Sequence, residues 1–230
     1  MKETLLSGAR DLGLELTEQT ADKLCAFGEA VISQNEVMNL TAITEPTAVA
    51  KLHLLDSLTL LRVADLKGKS IIDVGCGAGF PGVPTAIACQ DARVTLLDSL
   101  GKRMNWLETV LPQLGVRARC ITARAEEAAA EHREKFDFAT SRAVARLNIL
   151  LELTAPYVRL GGAVLALKGS AAREELEEAK SAVKKLGLKV EAIHDFQIAD
   201  ATHSVIVLRK VAHTPPQYPR RYAKIKQAPL

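Results

Sequence analysis

Gly75, Gly77 and Gly79 directly follow a short apolar run that carries Asp73. Bare of side chains, these positions let the backbone approach a ligand, and a helix starting just beyond them offers unpaired N–H groups. The pattern predicts a strand, a ligand-binding loop and a helix. A phosphate-cradling loop needs Lys and then Ser or Thr at the end of a longer glycine spacing, and no Lys stands in register after Gly75, Gly77, Gly79 or Gly82. ATP or GTP hydrolysis is therefore disfavoured. A dinucleotide site places its third glycine where this chain has Phe80, and would set the Asp73 carboxylate against a pyrophosphate. A ligand with an adenosine, no phosphate and a cationic end fits better. S-adenosylmethionine has those parts, and Asp73 is expected to favour its ammonium or sulfonium charge, directly or through water.

Arg93 to Asp98 reads as the next strand, ending in a carboxylate where a doubly wound sheet presents an acid to ribose hydroxyls. The competing reading of Asp98 is an acid that stabilises the start of a helix over Leu100 to Leu107. The ribose role agrees with the ligand already inferred.

The elements that must position these residues change character once along the chain. Residues 1–65 lack strand patterning: Thr17 is placed to cap a helix reaching about Val37, and Thr44 with Pro46 starts another that carries Val49, Leu52, Leu55 and Leu58 on one face. From Ser70 onward, strands at Ile71–Val74, Val94–Leu97, Ala118–Thr122, Phe136–Thr140, Gly162–Leu167, Leu188–His194 and Ser204–Val211 alternate with helical runs such as Lys102–Leu111 and Ala171–Leu186. This predicts an α/β fold, a Rossmann-like, mainly parallel sheet with helices on both faces. The short connection from Asp195 to Thr202 makes the last strand pair antiparallel. Three parts are expected: a helical appendage (1–65), a ligand-binding domain (66–212) and a basic tail (213–230).

With 230 residues, 48% of them apolar, the chain has material for one full α/β domain and an appendage. Lys2, Glu3, Arg10, Asp11 and Glu15 interrupt any signal-like apolar run, and no uncharged stretch is long enough to span a bilayer. A cytoplasmic protein without a membrane partner is expected. Cys25, Cys76, Cys89 and Cys120 show no metal-ligand spacing, so no metal is expected and the thiols read as reduced, packed groups. The net charge of +3 is uneven, because no acid follows Asp200 while Arg209, Lys210, Arg220, Arg221, Lys224 and Lys226 do. With Tyr218, Tyr222 and several prolines interleaved, the last fifteen residues read as an extended segment able to lie along a phosphate backbone. A frayed, solvated terminus is an equal reading of the tail alone.

The acceptor is narrowed by what is missing. Transfer to an exocyclic amine usually employs Asn or Asp, two prolines and an aromatic after the fourth strand, where this chain reads from Phe138 through Thr140, Ser141 and Arg142 to Ala143. Attack on a pyrimidine carbon needs a cysteine nucleophile, and the fourth-strand end has none. A ring nitrogen with a free lone pair remains. It has no proton to lose, so alignment and exclusion of water suffice. Other features have structural readings: His53 and Asp56 as a hydrogen bond along one helix face, Trp106 as core, and Asn39 as a turn or cap residue.

Several spaced segments together carry a resemblance: Asn39–Ile43, His53–Leu58, the loop from Asp73 to Pro84, Leu96–Arg103, Ser141–Ala145 and Tyr218–Arg221. Over nearly its whole length the chain resembles the glucose-inhibited division protein B (RsmG) family. That resemblance implies a class I methyltransferase fold, S-adenosylmethionine as cofactor and guanine N7 of 16S ribosomal RNA as acceptor. The substrate would be the RNA, the small subunit or an assembly intermediate, and the enzyme a monomer. It further implies that Gly75 and Phe80 line the cofactor, that Ala125 and Glu126 contact the adenine end, and that Arg142 belongs to the site; Gly77 is expected at the cofactor from the glycine loop itself. Glu126 also reads as an exposed helix acid, and Arg142 as a surface ion pair. Lys102, Arg103, Arg146 and Lys168, on the same sheet edge, join the tail cations Arg220, Arg221, Lys224 and Lys226 as expected RNA phosphate contacts. No catalytic side chain is assigned. Two other classes stay open, a nicotinamide-dependent oxidoreductase and a non-catalytic RNA-binding module.

Overall fold

The computed structural model describes residues 1–230. Its N-terminal part is helical, beginning with α1 (Lys2–Asp11) and α2 (Glu18–Asn35). Thr17 caps α2 as expected, its Oγ1 accepting the Thr20 N–H at 3.2 Å. The next helix is capped by Glu45 rather than Thr44: its carboxylate accepts the N–H groups of Thr47 and Ala48 at 2.9 and 2.6 Å, with Pro46 as first helical residue. That helix runs as α3 (Pro46–Val49), a wider π-helical turn (Ala50–Leu55), α4 (Asp56–Leu58) and α5 (Leu60–Val63).

Strands and helices then alternate: β1 (Ser70–Val74), α6 (Gly82–Ala88), β2 (Arg93–Asp98), α7 (Gly101–Gln113), β3 (Arg119–Thr122), α8 (Ala125–His132), β4 (Phe136–Arg142), α9 (Leu147–Thr154), β5 (Val158–Lys168), α10 (Ala172–Glu178), α11 (Lys180–Lys185), β6 (Leu188–Ile198), β7 (Ala201–Lys210) and finally α12 (Tyr222–Gln227). The strand order is β3-β2-β1-β4-β5-β7-β6; the first five are parallel, and β7 is antiparallel to both its neighbours. Ile71, Ile72, Asp73 and Val74 are all buried, as a central strand covered on both faces requires. The order reverses between β1 and β4, and in open α/β sheets that switch point is where a ligand lies.

One face of the sheet is covered by the N-terminal helices, with Leu24, Phe27, Leu54 and Leu58 joining Ile71, Leu96 and Leu165 in one apolar core. On the other face Leu147, Leu151, Ala179 and Leu186 pack on Ile72, Val164 and Ile206. No helix is long and apolar enough to cross a membrane, and no group of three His, Cys, Asp or Glu side chains is placed to hold a metal ion.

Two expectations are corrected. Most of the connection from Asp195 to Thr202 is strand: pairing continues to Ile198 opposite Ala201, and the turn is Ala199 and Asp200 alone, at φ 51° and 62°. Two left-handed residues match the twist of a tight hairpin. The tail is neither extended nor frayed. The Arg133 guanidinium donates to the carbonyls of Thr214 and Tyr218 at 2.5 and 2.8 Å, Arg220 pairs with the wholly buried Glu152 at 2.6 Å, and Ile225 of α12 is fully buried. The partners that hold the tail down stand more than sixty residues earlier in the chain, beyond the reach of its local composition.

Candidate functional site

A cavity of about 610 Å³ opens at the carboxyl ends of β1, β2 and β4. Its floor is the glycine loop. Gly75 sits at φ 72° and a Cβ there would stand 2.5 Å from the Val144 side chain, so only glycine lets the loop and the segment after β4 meet. The N–H groups of Gly75 and Cys76 bond Leu97 O, those of Gly79 and Phe80 bond Cys76 O, and Gly77 N–H bonds Asp98 Oδ2 at 2.9 Å. These donors are therefore not available to an anion.

The start of α6 is closed in the same way. Asp73 Oδ2 accepts the Gly82 N–H at 2.7 Å, Val83 and Thr85 bond Gly79 O and Pro81 O, and Pro84 has no N–H. A Cβ on Gly82 would meet Asp73 Oδ2 at 2.9 Å, so the close approach of the carboxylate depends on that glycine. Asp73 is wholly buried and does not line the cavity, which corrects the expected contact with the ligand's charge: it fills the helix terminus that a pyrophosphate would use. Burial pushes its carboxyl up to about 7, the Asp98 charge adding to the rise while the Gly82 N–H and the Arg142 charge oppose it. Its Oδ1 has no partner.

Gly75, Gly77, Phe80, Asp98, Ala125, Glu126 and Arg142 all line the cavity. Asp98 accepts from Gly77 N–H and, through Oδ1, from Leu100 N–H at 2.9 Å, which leaves each oxygen a second lone pair for a ribose hydroxyl. The helix-start reading and the ribose reading of Asp98 are thus compatible. At the start of α8 the N–H groups of Ala125 and Glu126 have no acceptor within the protein and can serve ring nitrogens of an adenine. Tyr157 fixes that turn from beneath by donating to Ala125 O at 2.5 Å, and Tyr222 closes the rim from the C-terminal segment.

Across the glycine loop, Arg142 is at the centre of a polar cluster. Its Nη1 donates to Leu52 O at 2.7 Å and to Asp56 Oδ2 at 2.9 Å, while Nη2 stands 2.9 Å from His53 Nδ1. Asp56 Oδ1 lies 2.9 Å from His203 Nδ1. The expected His53–Asp56 helix-face bond is replaced by two bonds to Arg142, because the π-helical turn changes the angular spacing between the two residues. Burial and the adjacent Arg142 charge hold His53 down to about 4, so its ring is neutral. Burial raises the Asp56 carboxyl, but the His203 hydrogen bond and Arg142 outweigh it and leave the group below its ordinary value. The ring of Phe80 stacks on His53 with centroids 4.7 Å apart and lies under the Arg142 guanidinium at 5.2 Å. His203, Tyr157 and Tyr222 carry no sequence signal of their own, since only the folded sheet brings them here.

The expected RNA contacts divide. Lys102, Arg221, Lys224 and Lys226 are exposed, and Arg103 lines the cavity while donating to Asn39 O at 3.2 Å. Arg146 is engaged by Glu174 and Glu178, Lys168 is nearly buried against Glu175 at 2.7 Å, and Arg220 is held by Glu152. These three already have carboxylate partners, which would compete with a phosphate for them. Asn39 does not fix its turn; Asn35 does, its Oδ1 accepting the N–H groups of Leu40 and Thr41 at 2.7 and 2.9 Å.

The sheet order, the glycine loop at its switch point and the acid at the end of β2 define a class I, Rossmann-like methyltransferase fold. Structures sharing it include M. jannaschii TYW2 in complex with AdoMet (TM-score 0.57, 14% identity, 69% of this chain and 76% of that one). The [4+2]-cyclase SpnF also matches (TM-score 0.54, 14% identity, 69% and 81%), so the fold alone does not fix a reaction. The family is fixed by sequence. The GidB profile, described as rRNA small subunit methyltransferase G, matches residues 20–205, and the chain belongs to that family. Relatives called ribosomal RNA small subunit methyltransferase G include those of Clostridium botulinum strain Eklund 17B (39% identity, 99% of this chain, 98% of the relative) and Desulfitobacterium hafniense strain Y51 (42%, 95% and 93%).

Proposed function

We propose that this protein transfers a methyl group from S-adenosylmethionine to N7 of a guanine in the 16S RNA of the small ribosomal subunit, in the cytoplasm. The observation that carries the reading is the cavity's asymmetry. One side offers free lone pairs on Asp98 and free N–H groups on Ala125 and Glu126, which suit an adenosine. The start of α6, where a pyrophosphate would sit, is filled by Asp73, which disfavours the nicotinamide alternative. A non-catalytic RNA-binding module leaves the cavity without a purpose. Family membership supports the ribosomal RNA substrate.

Bound here, the cofactor supplies a sulfonium methyl: a purine nitrogen forms the new N–C bond with its lone pair while the electrons of the broken C–S bond stay on sulfur. The protein's part is orientation. Asp98 and the start of α8 set the adenosine, and Phe80, held by His53 and Arg142, walls the opposite side. Guanine N7 carries no proton, so the transfer requires no general base. Thiol attack is disfavoured, because burial pushes Cys76 well above its ordinary range and Cys120 up to about 11. Lys102, Arg103, Arg221, Lys224 and Lys226 are the proposed phosphate contacts.

Small-subunit particles from cells lacking the enzyme, incubated with the protein and tritiated S-adenosylmethionine, should acquire label in 16S RNA, and mass spectrometry should find it as N7-methylguanosine. No label in the RNA, or label on another atom, overturns the reading.

A further inference from the structure

Thr41 lines the cavity on the β4 side of the glycine loop, away from the ribose acid. Its Oγ1 stands 2.8 Å from His53 Nε2 and accepts the Ile43 N–H at 3.0 Å. The direction of the first bond is set on the far side of the imidazole. His53 Nδ1 stands 2.9 Å from Arg142 Nη2 and 3.1 Å from Leu52 O; that carbonyl already accepts from Arg142 Nη1 at the shorter 2.7 Å and a guanidinium cannot accept, so the arrangement favours a bare Nδ1 and, in the neutral ring, a proton on Nε2. Nε2–H donates to Thr41. Both lone pairs of the hydroxyl are then occupied, and its own proton is the one hydrogen-bonding function left to face the cavity. The turn carrying it is pinned by Asn35 at the N–H groups of Leu40 and Thr41 and by Arg103 at Asn39 O.

We infer that Thr41 is a specificity-determining residue whose hydroxyl, held as a donor by His53 and Ile43, reads O6 of the target guanine beside N7. This rests on the reading that guanine N7 is the acceptor. The two atoms share one edge of the base, so a donor placed at O6 sets N7 opposite the cofactor end of the cavity. A purine with an amino group at position 6 meets the Thr41 proton donor against donor, and the mismatch disfavours it. His53 acts as the positioning residue for that proton, and Arg142 fixes the tautomer.

The test uses small-subunit RNA carrying guanosine, inosine or 2,6-diaminopurine riboside at the position the wild-type enzyme methylates, with single-turnover transfer and S-adenosylhomocysteine affinity measured for wild type, Thr41→Ser, Thr41→Val and Thr41→Ala. Wild type and Thr41→Ser should act on guanosine and inosine alike and slow on 2,6-diaminopurine by about 10- to 100-fold. Thr41→Val and Thr41→Ala should slow on guanosine by a similar factor and lose the discrimination, with S-adenosylhomocysteine affinity unchanged. Equal wild-type rates on guanosine and 2,6-diaminopurine, or discrimination kept by Thr41→Val or Thr41→Ala, overturns the assignment. A wild-type enzyme that methylates no guanine N7 refutes the underlying reading instead.

Discussion

At the ribose end of the cavity, Asp98 is tied to Gly77 and Leu100, residues 21 and 2 positions away; at the other end Arg142 joins Asp56 across 86 positions, and Asp56 joins His203 across 147. The first end is one βαβ unit bonding to itself, mostly through backbone. The second is assembled by side chains from the N-terminal helices, β4 and β7, and exists only when the sheet is complete. One end can be altered with local effect. The other couples ligand geometry to the stability of the whole chain.

The largest expected effect is therefore at the second end. Arg142→Ala leaves the buried Asp56 carboxylate without its cation and should lower the unfolding free energy by about 3–5 kcal/mol in denaturant titrations. A loss no greater than that of an exposed ion pair would erase the contrast between the two ends. Arg142→Lys should recover little, because an ammonium cannot serve Leu52 O, Asp56 and His53 together.

Next comes pH. His53 is held near 4 in the folded protein against 6.5 in the unfolded chain, so from pH 6.5 down to about 4 only the unfolded chain takes up the proton. Its contribution is fully present above 6.5 and lost on acidification, on the order of 3 kcal/mol in all. Asp73, pushed up to about 7, acts in the opposite sense, keeping its proton from about pH 4 to 7 while the unfolded chain loses it. Comparing wild type with His53→Asn isolates the first: their stability difference should grow from pH 4 to 6.5. Nitrogen-15 spectra should show a bare Nδ1 and a protonated Nε2 at neutral pH; the reverse tautomer would break the Arg142–His53–Thr41 chain.

Asp98→Ala should weaken S-adenosylhomocysteine binding by about 1.5–3 kcal/mol in calorimetry, while the unfolding free energy falls by less than in Arg142→Ala. Unchanged affinity would return Asp98 to a helix-start role. The smallest effect belongs to the exposed C-terminal cations. Replacing Arg221, Lys224 and Lys226 with Gln should lower the log-log salt slope of RNA binding by about 2, taking the single-strand coefficient. An unaltered slope would remove them from the RNA surface.

The same contrast explains how much the sequence disclosed. The loop after β1, the acid ending β2, the strand alternation and the antiparallel closing pair were legible because each rests on periodicity or on residues close in sequence. Asp73 misled for a local reason: its position beside the loop is clear in the sequence, but not that Gly82 lets its side chain turn inward to α6. Arg146, Lys168 and Arg220 looked like free cations because their acids lie 7 to 68 positions away, and no local pattern marks such pairs. Asn35, His203 and Tyr222 were missed for the same reason, since their roles exist only in the folded arrangement.

The wide turn at Ala50–Leu55 has an evolutionary consequence. A π-helical turn carries one residue more than an α-helical turn over nearly the same angle, so losing a single codon within it would restore regular winding and leave Asp56 and everything beyond it facing close to its present direction, towards Arg142. Each further residue lost would rotate the rest of the helix by about 100°, so descendants of this gene should tolerate a one-codon deletion in the segment better than a two-codon deletion.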